Sequence, residues 1–284
     1  MPSLHPAPII SASRREDIPA SQGDWLLRQI RIGYVDVPNP FSKKTCRVSL
    51  QPADVGAFVF WSKNYSPFFP ALEKINSLYD HRFLFHFTIN GFQGPAKEIF
   101  EPRIPDWQTA VQAAAVLSST YGPETVLWRF DPIIFSALTP AEERLTAFTT
   151  LAANLEGVVR RCYISFVDLY GKVRRRFARV TEKHQILFQI PRFEDQVNFV
   201  RRLKQIASQH NIRLFTCCEN DIADAGGITR GHCIDAKLLQ RLYPDIAFTT
   251  EIRPTRRECG CYVSRDIGTY NRCRHRCLYC YATQ

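Results

Sequence analysis

The sequence predicts an α/β fold, a single (β/α) barrel or partial TIM-like barrel, on three observations. Seven short runs rich in Val, Ile, Phe, Tyr and Thr recur along the chain, six amphipathic patterns lie between them, and polar residues follow one run after another. Alternation of this kind calls for parallel strands with crossover helices. A doubly wound sheet is the second architecture that the same alternation allows.

The first strand is expected at Ile9–Ser13, followed by a helix over Asp24–Ile32. Ala57–Trp61 is a continuous apolar run, as in a strand buried on both faces, and Pro67–Leu78 has the next helical pattern. Phe83–Thr88, Thr125–Arg129, Cys162–Val167, Arg213–Thr216 and Ile246–Thr250 read as strands on the same ground. The pattern over Asp106–Tyr121 sets Trp107, Val111, Ala114 and Leu117 on one face. That over Pro140–Leu155 predicts Thr139 as N-cap, Pro140 at the first helical position and acid in the first turn. Glu194–His210 and Asp235–Leu242 complete the helices.

The strand ends carry Arg14, Arg15 and Asp17; Ser62, Lys63 and Asn64; Asn90; Asp131; Asp168; Cys217, Cys218, Glu219 and Asn220; and Glu251 with Arg253. In βα barrels the carboxyl ends of the strands build the active-site face. Residues 1–254 are therefore read as the barrel and residues 255–284 as a cysteine-rich tail. The last expected strand ends at Thr250, with no helix before Cys259. The tail is thus expected over the catalytic face.

The chain has 284 residues, 37 basic against 27 acidic, and a net charge of +10. That charge predicts attraction to anionic partners, nucleic acid among them. No apolar run approaches the ~20 residues that cross a bilayer. The opening Met-Pro-Ser-Leu-His-Pro-Ala-Pro lacks the charged and apolar regions of a signal peptide. A cytoplasmic location is expected, where clustered cysteines favour metal over disulfides.

Five of the ten cysteines fall in the last 26 residues. Cys273, Cys277 and Cys280 form CxxxCxxC, a spacing that lets one loop wrap three thiolates around a metal centre, and Cys259 and Cys261 lie just upstream. Thiolate ligation without paired histidines leaves iron–sulfur and zinc. Zinc ribbons use two CxxC knuckles about a dozen or more residues apart. The CxC, CxxxC and CxxC spacings here fit that poorly, so iron–sulfur is preferred and zinc is the alternative.

Cys273-Arg-His-Arg-Cys-Leu-Tyr-Cys-Tyr-Ala282 resembles the cluster loop of radical S-adenosylmethionine enzymes, especially the spore-photoproduct-lyase-like branch. The resemblance implies a [4Fe–4S] cluster on Cys273, Cys277 and Cys280, with one iron open to S-adenosylmethionine. It also implies a role for the aromatic Tyr279 and a partial (β/α) barrel. Arg129-Phe-Asp-Pro132 is similar to an Arg-x-Asp-Pro element of those enzymes. Their cluster loop follows the first strand, whereas this one ends the chain, as in a circular permutation. Their Gly-Gly-Glu element is missing at its expected place, with Gly226-Gly227 a weak substitute. With its Ser-x-Ser-Arg-Arg-x-Asp-Ile-Pro from Ser11 to Pro19, the whole chain resembles a bacterial family known mainly as a domain of unknown function.

The candidate residues follow. Cys273, Cys277 and Cys280 are the metal ligands, with Cys259 or Cys261 as a fourth ligand that would close the cluster. Lys63, Asp131 and Glu219 are the candidate catalytic groups, and Arg129, Glu219, Glu251 and Tyr279 would bind the cofactor. Arg14 and Arg15 are candidate anion clamps, or partners of a strand-end acid such as Asp131. Lys172, Arg174 and Arg175 lie in a basic stretch with Phe177 interleaved, read as a lid over an anionic substrate or as a solvated helical face. Cys46, Cys162 and Cys233 read as packing residues. The expected function is a permuted radical S-adenosylmethionine-like enzyme, an oxidoreductase or lyase served by an electron donor. The alternatives are a non-catalytic nucleic-acid-binding protein with an iron–sulfur or zinc tail, and a barrel hydrolase with a structural cluster.

Overall fold

Continuous apolar runs become buried strands. In the computed structural model, which describes residues 7–39, 42 and 44–283, the strands are β1 (Ile9–Ala12), β2 (Tyr34–Pro38), β3 (Thr45–Ser49), β4 (Ala57–Ser62), β5 (Phe83–Thr88), β6 (Val126–Ile133), β7 (Phe135–Ser136), β8 (Arg161–Phe166), β9 (Phe188–Gln189), β10 (Arg213–Thr216), β11 (Thr229–Arg230) and β12 (Arg265–Asp266). Most of the opening segment read for a leader, residues 1–6, lies outside the described residues. Every residue of β1 and β8 is buried, the pattern of strands covered on both faces.

Eight strands form one parallel sheet in the order β11-β10-β8-β6-β5-β4-β1-β12, and β2–β3 and β7–β9 are small antiparallel pairs. The fold is thus mixed α/β. The chain divides into two units, residues 1–86 with 232–273 and residues 87–231 with 274–284. The boundary falls within β5 and, in the tail, just after Cys273.

The helices are α1 (Ile18–Ser21), α2 (Gly23–Ile32), α3 (Phe69–Asn76), α4 (Gly94–Phe100), α5 (Trp107–Tyr121), α6 (Ala141–Leu155), α7 (Gly171–His184), α8 (Phe193–Gln209), α9 (Asn220–Gly226) and α10 (Ala236–Leu242). All six expected helices form within two or three residues of their expected limits. Asp235 caps α10 by accepting from the Leu238 N–H at 2.9 Å. At α6 the cap differs from the expectation: Pro140 is the N-cap, and the Thr139 hydroxyl bonds Ser136 at 2.8 Å. The basic stretch from Lys172 is the body of the 14-residue α7.

The seventh expected strand, Ile246–Thr250, does not form. Pro244 and Asp245 turn the chain ahead of it. The place beside β1 goes to the polar pair Arg265–Asp266, which registers with Ile10 and Ser11.

In the first unit the core is an aromatic stack. Phe60 packs on Phe58, Phe68, Phe83 and Phe85 with ring centroids 5.0–5.7 Å apart, within the range where ring pairs attract beyond simple burial. In the second unit Trp128 and Phe130 of β6 pack on Phe148 of α6. A separate cluster there joins Phe92, Phe100, Val173 and Phe177, with Leu278 and Tyr279 of the tail against it.

Candidate functional site

At the carboxyl ends of β6, β8 and β10 the second unit gathers a buried polar network. Asn90, 2% exposed, follows β5 and accepts from the Asp131 N–H at 2.8 Å. Its amide hydrogens are shared among the Asp131 carbonyl (3.2 Å), Glu101 Oε1 (3.0 Å) and Tyr279 Oη (3.1 Å). The Asp131 carboxylate takes the Arg129 guanidinium on Oδ2 and the Ser165 hydroxyl on Oδ1. Arg144 of α6, 1% exposed, donates to the Asn90 carbonyl at 2.8 Å and covers Phe92. Buried polar groups linked in this way are rigid, because each loss leaves a partner stranded in a low dielectric.

Glu219 stands at the end of β10. Oε1 accepts the Phe166 N–H at 2.7 Å, while the buried Oε2 has no hydrogen-bond partner among the described residues. Desolvation, with the charges of Asp131, Cys217 and Asp168 adding to it, pushes its carboxyl up to about 8, although the Phe166 N–H pulls the other way. A carboxyl raised this far favours its protonated form near neutral pH. Its neighbours Cys217 and Cys218 hold their sulfurs 3.9 Å apart.

The tail is fixed residue by residue. The Cys280 N–H donates to the Cys277 carbonyl at 3.1 Å, closing a turn that carries two of the three motif thiols. The Leu278 N–H donates to the Phe100 carbonyl at 3.0 Å. Arg176 of α7 donates to the carbonyls of Leu278 (3.1 Å), Cys280 (2.7 Å) and Thr283 (2.5 Å), and Lys172 to that of Thr283 (3.2 Å). The Tyr279 hydroxyl donates to Glu101 while accepting from Asn90. Burial pushes this phenol well above its ordinary range, with the Glu101 and Cys277 charges adding. Cys277 is buried and Cys280 half-buried. Close by, an apolar cavity of about 350 Å³ is lined by Ile133, Phe135, Phe166, Phe177 and Phe188, with Arg174 on its wall.

The other candidates belong to the first unit. Arg14 and Arg15 flank Asp266 at 3.7 and 3.8 Å, so the acid between them is Asp266 and not Asp131. Asp266 also takes the hydroxyls of Ser11 (2.9 Å) and Ser13 (2.6 Å). Lys63 gives its N–H to Asp17 at 2.9 Å, and Ser62 accepts from the Asn64 N–H, a local capping role. Glu251 is exposed.

Cys259 and Cys261 are buried beside a third thiol, Cys233. A hydrogen bond with Cys233 lowers the Cys261 thiol, but contact with Cys259 and burial outweigh it and leave the thiol raised. The Ile234 N–H also reaches Cys261 Sγ at 3.4 Å, and Thr255 Oγ1 lies 3.5 Å from Cys259 Sγ. Cys162 is buried in β8 as expected, whereas Cys46 on β3 is exposed.

Glu101, Ser165, Arg144 and Asp266 are not among the residues expected from the sequence, and Arg176 enters only as part of the basic stretch. Arg144 left a signal, since it shares the stripe of Phe148, Leu151 and Leu155 on α6 and a cation at such a position must be buried and paired. Among the described residues no three His, Cys, Asp or Glu side chains are grouped to hold a metal ion, and no helix is long and apolar enough to cross a membrane.

Residues 9–282 match the family described as Domain of unknown function (DUF1848). The chain belongs to that family. No curated protein matches this DUF1848 chain. A 1.80 Å crystal structure titled a putative alpha-L-fucosidase, from Bacteroides thetaiotaomicron VPI-5482, is similar over 86% of this chain and 95% of its own, at 11% identity and a TM-score of 0.31. A likeness that distant carries no argument.

Proposed function

We propose that this DUF1848 protein is an iron–sulfur enzyme resembling permuted radical S-adenosylmethionine proteins, built on a partial (β/α) barrel and acting on an anionic or nucleotide-containing substrate. The observation that carries this reading is the route from the cysteine turn to the strand ends: Tyr279, between Cys277 and Cys280, bonds Asn90, and Asn90 bonds the backbone of Asp131 on both sides.

The donor chemistry fits a [4Fe–4S] cluster. Three thiols lie in CxxxCxxC, and the carbonyls around two of them are tied off by Arg176. Cys273, Cys277 and Cys280 would hold it, and their grouping would accompany loading, since metal affinity and local ordering are coupled. When bound and reduced, such a cluster supplies the one electron for reductive cleavage of the sulfonium carbon–sulfur bond of S-adenosylmethionine, which starts hydrogen abstraction from substrate.

The chain's own residues set the stage for that chemistry. Neutral Glu219 can donate Oε2–H to an acceptor on cofactor or substrate. Asp131, held by Arg129 and Ser165, offers an acceptor in fixed orientation. Phe166 and Phe177 line the apolar cavity and would limit the water that reaches an open-shell intermediate.

The test is anaerobic purification, reduction and EPR spectroscopy with and without S-adenosylmethionine. A [4Fe–4S] signal that changes on addition, with 5′-deoxyadenosine formed, supports the reading. An iron–sulfur signal indifferent to the cofactor, or stoichiometric zinc, removes it.

A further inference from the structure

The outer face of α7 is a row of cations with an aromatic step at one end. The helix carries six Lys and Arg against one Glu. Lys172 and Arg176 turn to the tail carbonyls, while Arg174, Arg175, Arg179 and Lys183 are exposed. Arg175, Arg179 and Lys183 are spaced i, i+4, i+8, which lines them up along one side of the helix with a cation about every 6 Å.

At the amino end of the row Tyr170, the N-cap, is 42% exposed, and Tyr281, the residue after Cys280, is 45% exposed. Their ring centroids lie 6.0 Å apart with planes at 49°. The Tyr170 hydroxyl is directed at Asp168 Oδ2, 3.5 Å away. Two large rings left half in water at the end of a cation row give an unpaired base a face to stack on and its backbone a track to follow. The bonds from Lys172 and Arg176 make this surface continuous with the segment bearing Cys280.

We infer that α7 with Tyr170 and Tyr281 is a docking strip for single-stranded nucleic acid, its phosphates on Arg175, Arg179 and Lys183 and a base stacked at Tyr281. The inference rests on the proposed anionic or nucleotide-containing substrate and names its class. Charge complementarity decides for a polynucleotide: evenly spaced cations suit a repeating anion, and the rings suit bases. A duplex buries its base faces and would use the cations without the rings.

The test is fluorescence anisotropy of a short labelled oligothymidylate with the full-length protein, repeated across a salt series. Tyr281→Ala and Tyr170→Ala are each expected to weaken binding roughly tenfold, the size of one lost stacking contact, while Tyr281→Phe keeps the affinity. Arg175→Glu with Arg179→Glu should weaken binding and flatten the log–log salt slope by about 1.4, two single-strand phosphate contacts. Arg28→Glu with Arg31→Glu, an equal charge change on exposed positions of α2, should leave affinity within about twofold. Equal losses from the two double variants would mean attraction by net charge alone and overturn the strip. So would undiminished binding by both Ala variants, or a duplex of the same length bound as tightly.

This experiment is independent of the cluster. The expected pattern from a protein that forms no 5′-deoxyadenosine supports the strip and removes the cofactor reading. Equal losses in a protein that does form it overturn the strip alone.

Discussion

The Tyr279 hydroxyl lies 3.1 Å from the Asn90 amide nitrogen, and through that contact a residue of the cysteine turn is joined to the end of a sheet strand. Asn90 in turn holds the Asp131 backbone, so one hydroxyl bears on both the tail and the strand-end acids. Tyr279→Phe keeps the ring against Phe100 and its neighbours and removes the bond to Glu101 and Asn90. A buried carboxyl losing a hydrogen-bond donor costs about 1–3 kcal/mol. Urea unfolding should show a loss of that order. The same variant should retain less iron after anaerobic reconstitution, because the Cys277–Cys280 turn has lost its tie to the sheet. Full stability with full iron would remove Tyr279 as the link.

Glu219 sets a pH dependence of definite sign. Its carboxyl is raised from 4.5 to about 8 in the folded chain, so between those values the native state holds a proton that the unfolded state has released. Stability from this group is fully present below about 4.5 and is lost as pH rises to about 8, with a slope of at most about 1.4 kcal/mol per pH unit. Glu219→Gln cannot ionise. Its stability relative to the parent should rise steadily across that window and level off above it. Parallel stability curves for parent and variant would show that the acid is not buried and neutral.

Arg176 is expected to matter by shape more than by charge. One guanidinium reaches three tail carbonyls, a fork that an ammonium cannot reproduce. Arg176→Lys should therefore behave much like Arg176→Ala, with faster amide exchange across residues 277–283 and earlier proteolysis of the tail, while far-ultraviolet circular dichroism stays unchanged. A Lys variant as protected as the parent would mean that α7 holds the tail by charge alone.

Apolar strands could be read from the sequence because burial on both faces favours runs of Val, Ile, Leu and aromatic residues, which β4 and β5 supply over most of their length and β1 and β8 in part. The edge strand β12 could not. Arg265–Asp266 enters the sheet through backbone pairing with β1 and through the Asp266 carboxylate, which collects Ser11, Ser13 and the Arg14 N–H, and none of that has a hydrophobic period. The site divides in the same way. Asp131, near the end of β6, and Glu219, after β10, could be picked out as strand-end acids, and so could the CxxxCxxC spacing. Glu101 and Cys233 gain their roles from residues far away in the chain, Tyr279 and Cys261, and no local pattern marks such pairings.

The CxC pair has its own partners in the first unit, and that bears on whether the proposed cluster is open. Cys259 and Cys261 contact each other, Cys233 and Thr255, and Cys261 also takes the Ile234 N–H. Thiols engaged in this way are costly to withdraw for a metal. Cys273→Ala, Cys277→Ala and Cys280→Ala should each lose most bound iron. Cys259→Ala and Cys261→Ala should keep it and be destabilised instead, by roughly 1 kcal/mol for a lost buried contact. Iron and stability measured on the same samples separate the two effects. Iron loss in the Cys259 or Cys261 variant equal to that in the Cys280 variant would make the CxC pair a cluster ligand, leaving no iron open to S-adenosylmethionine.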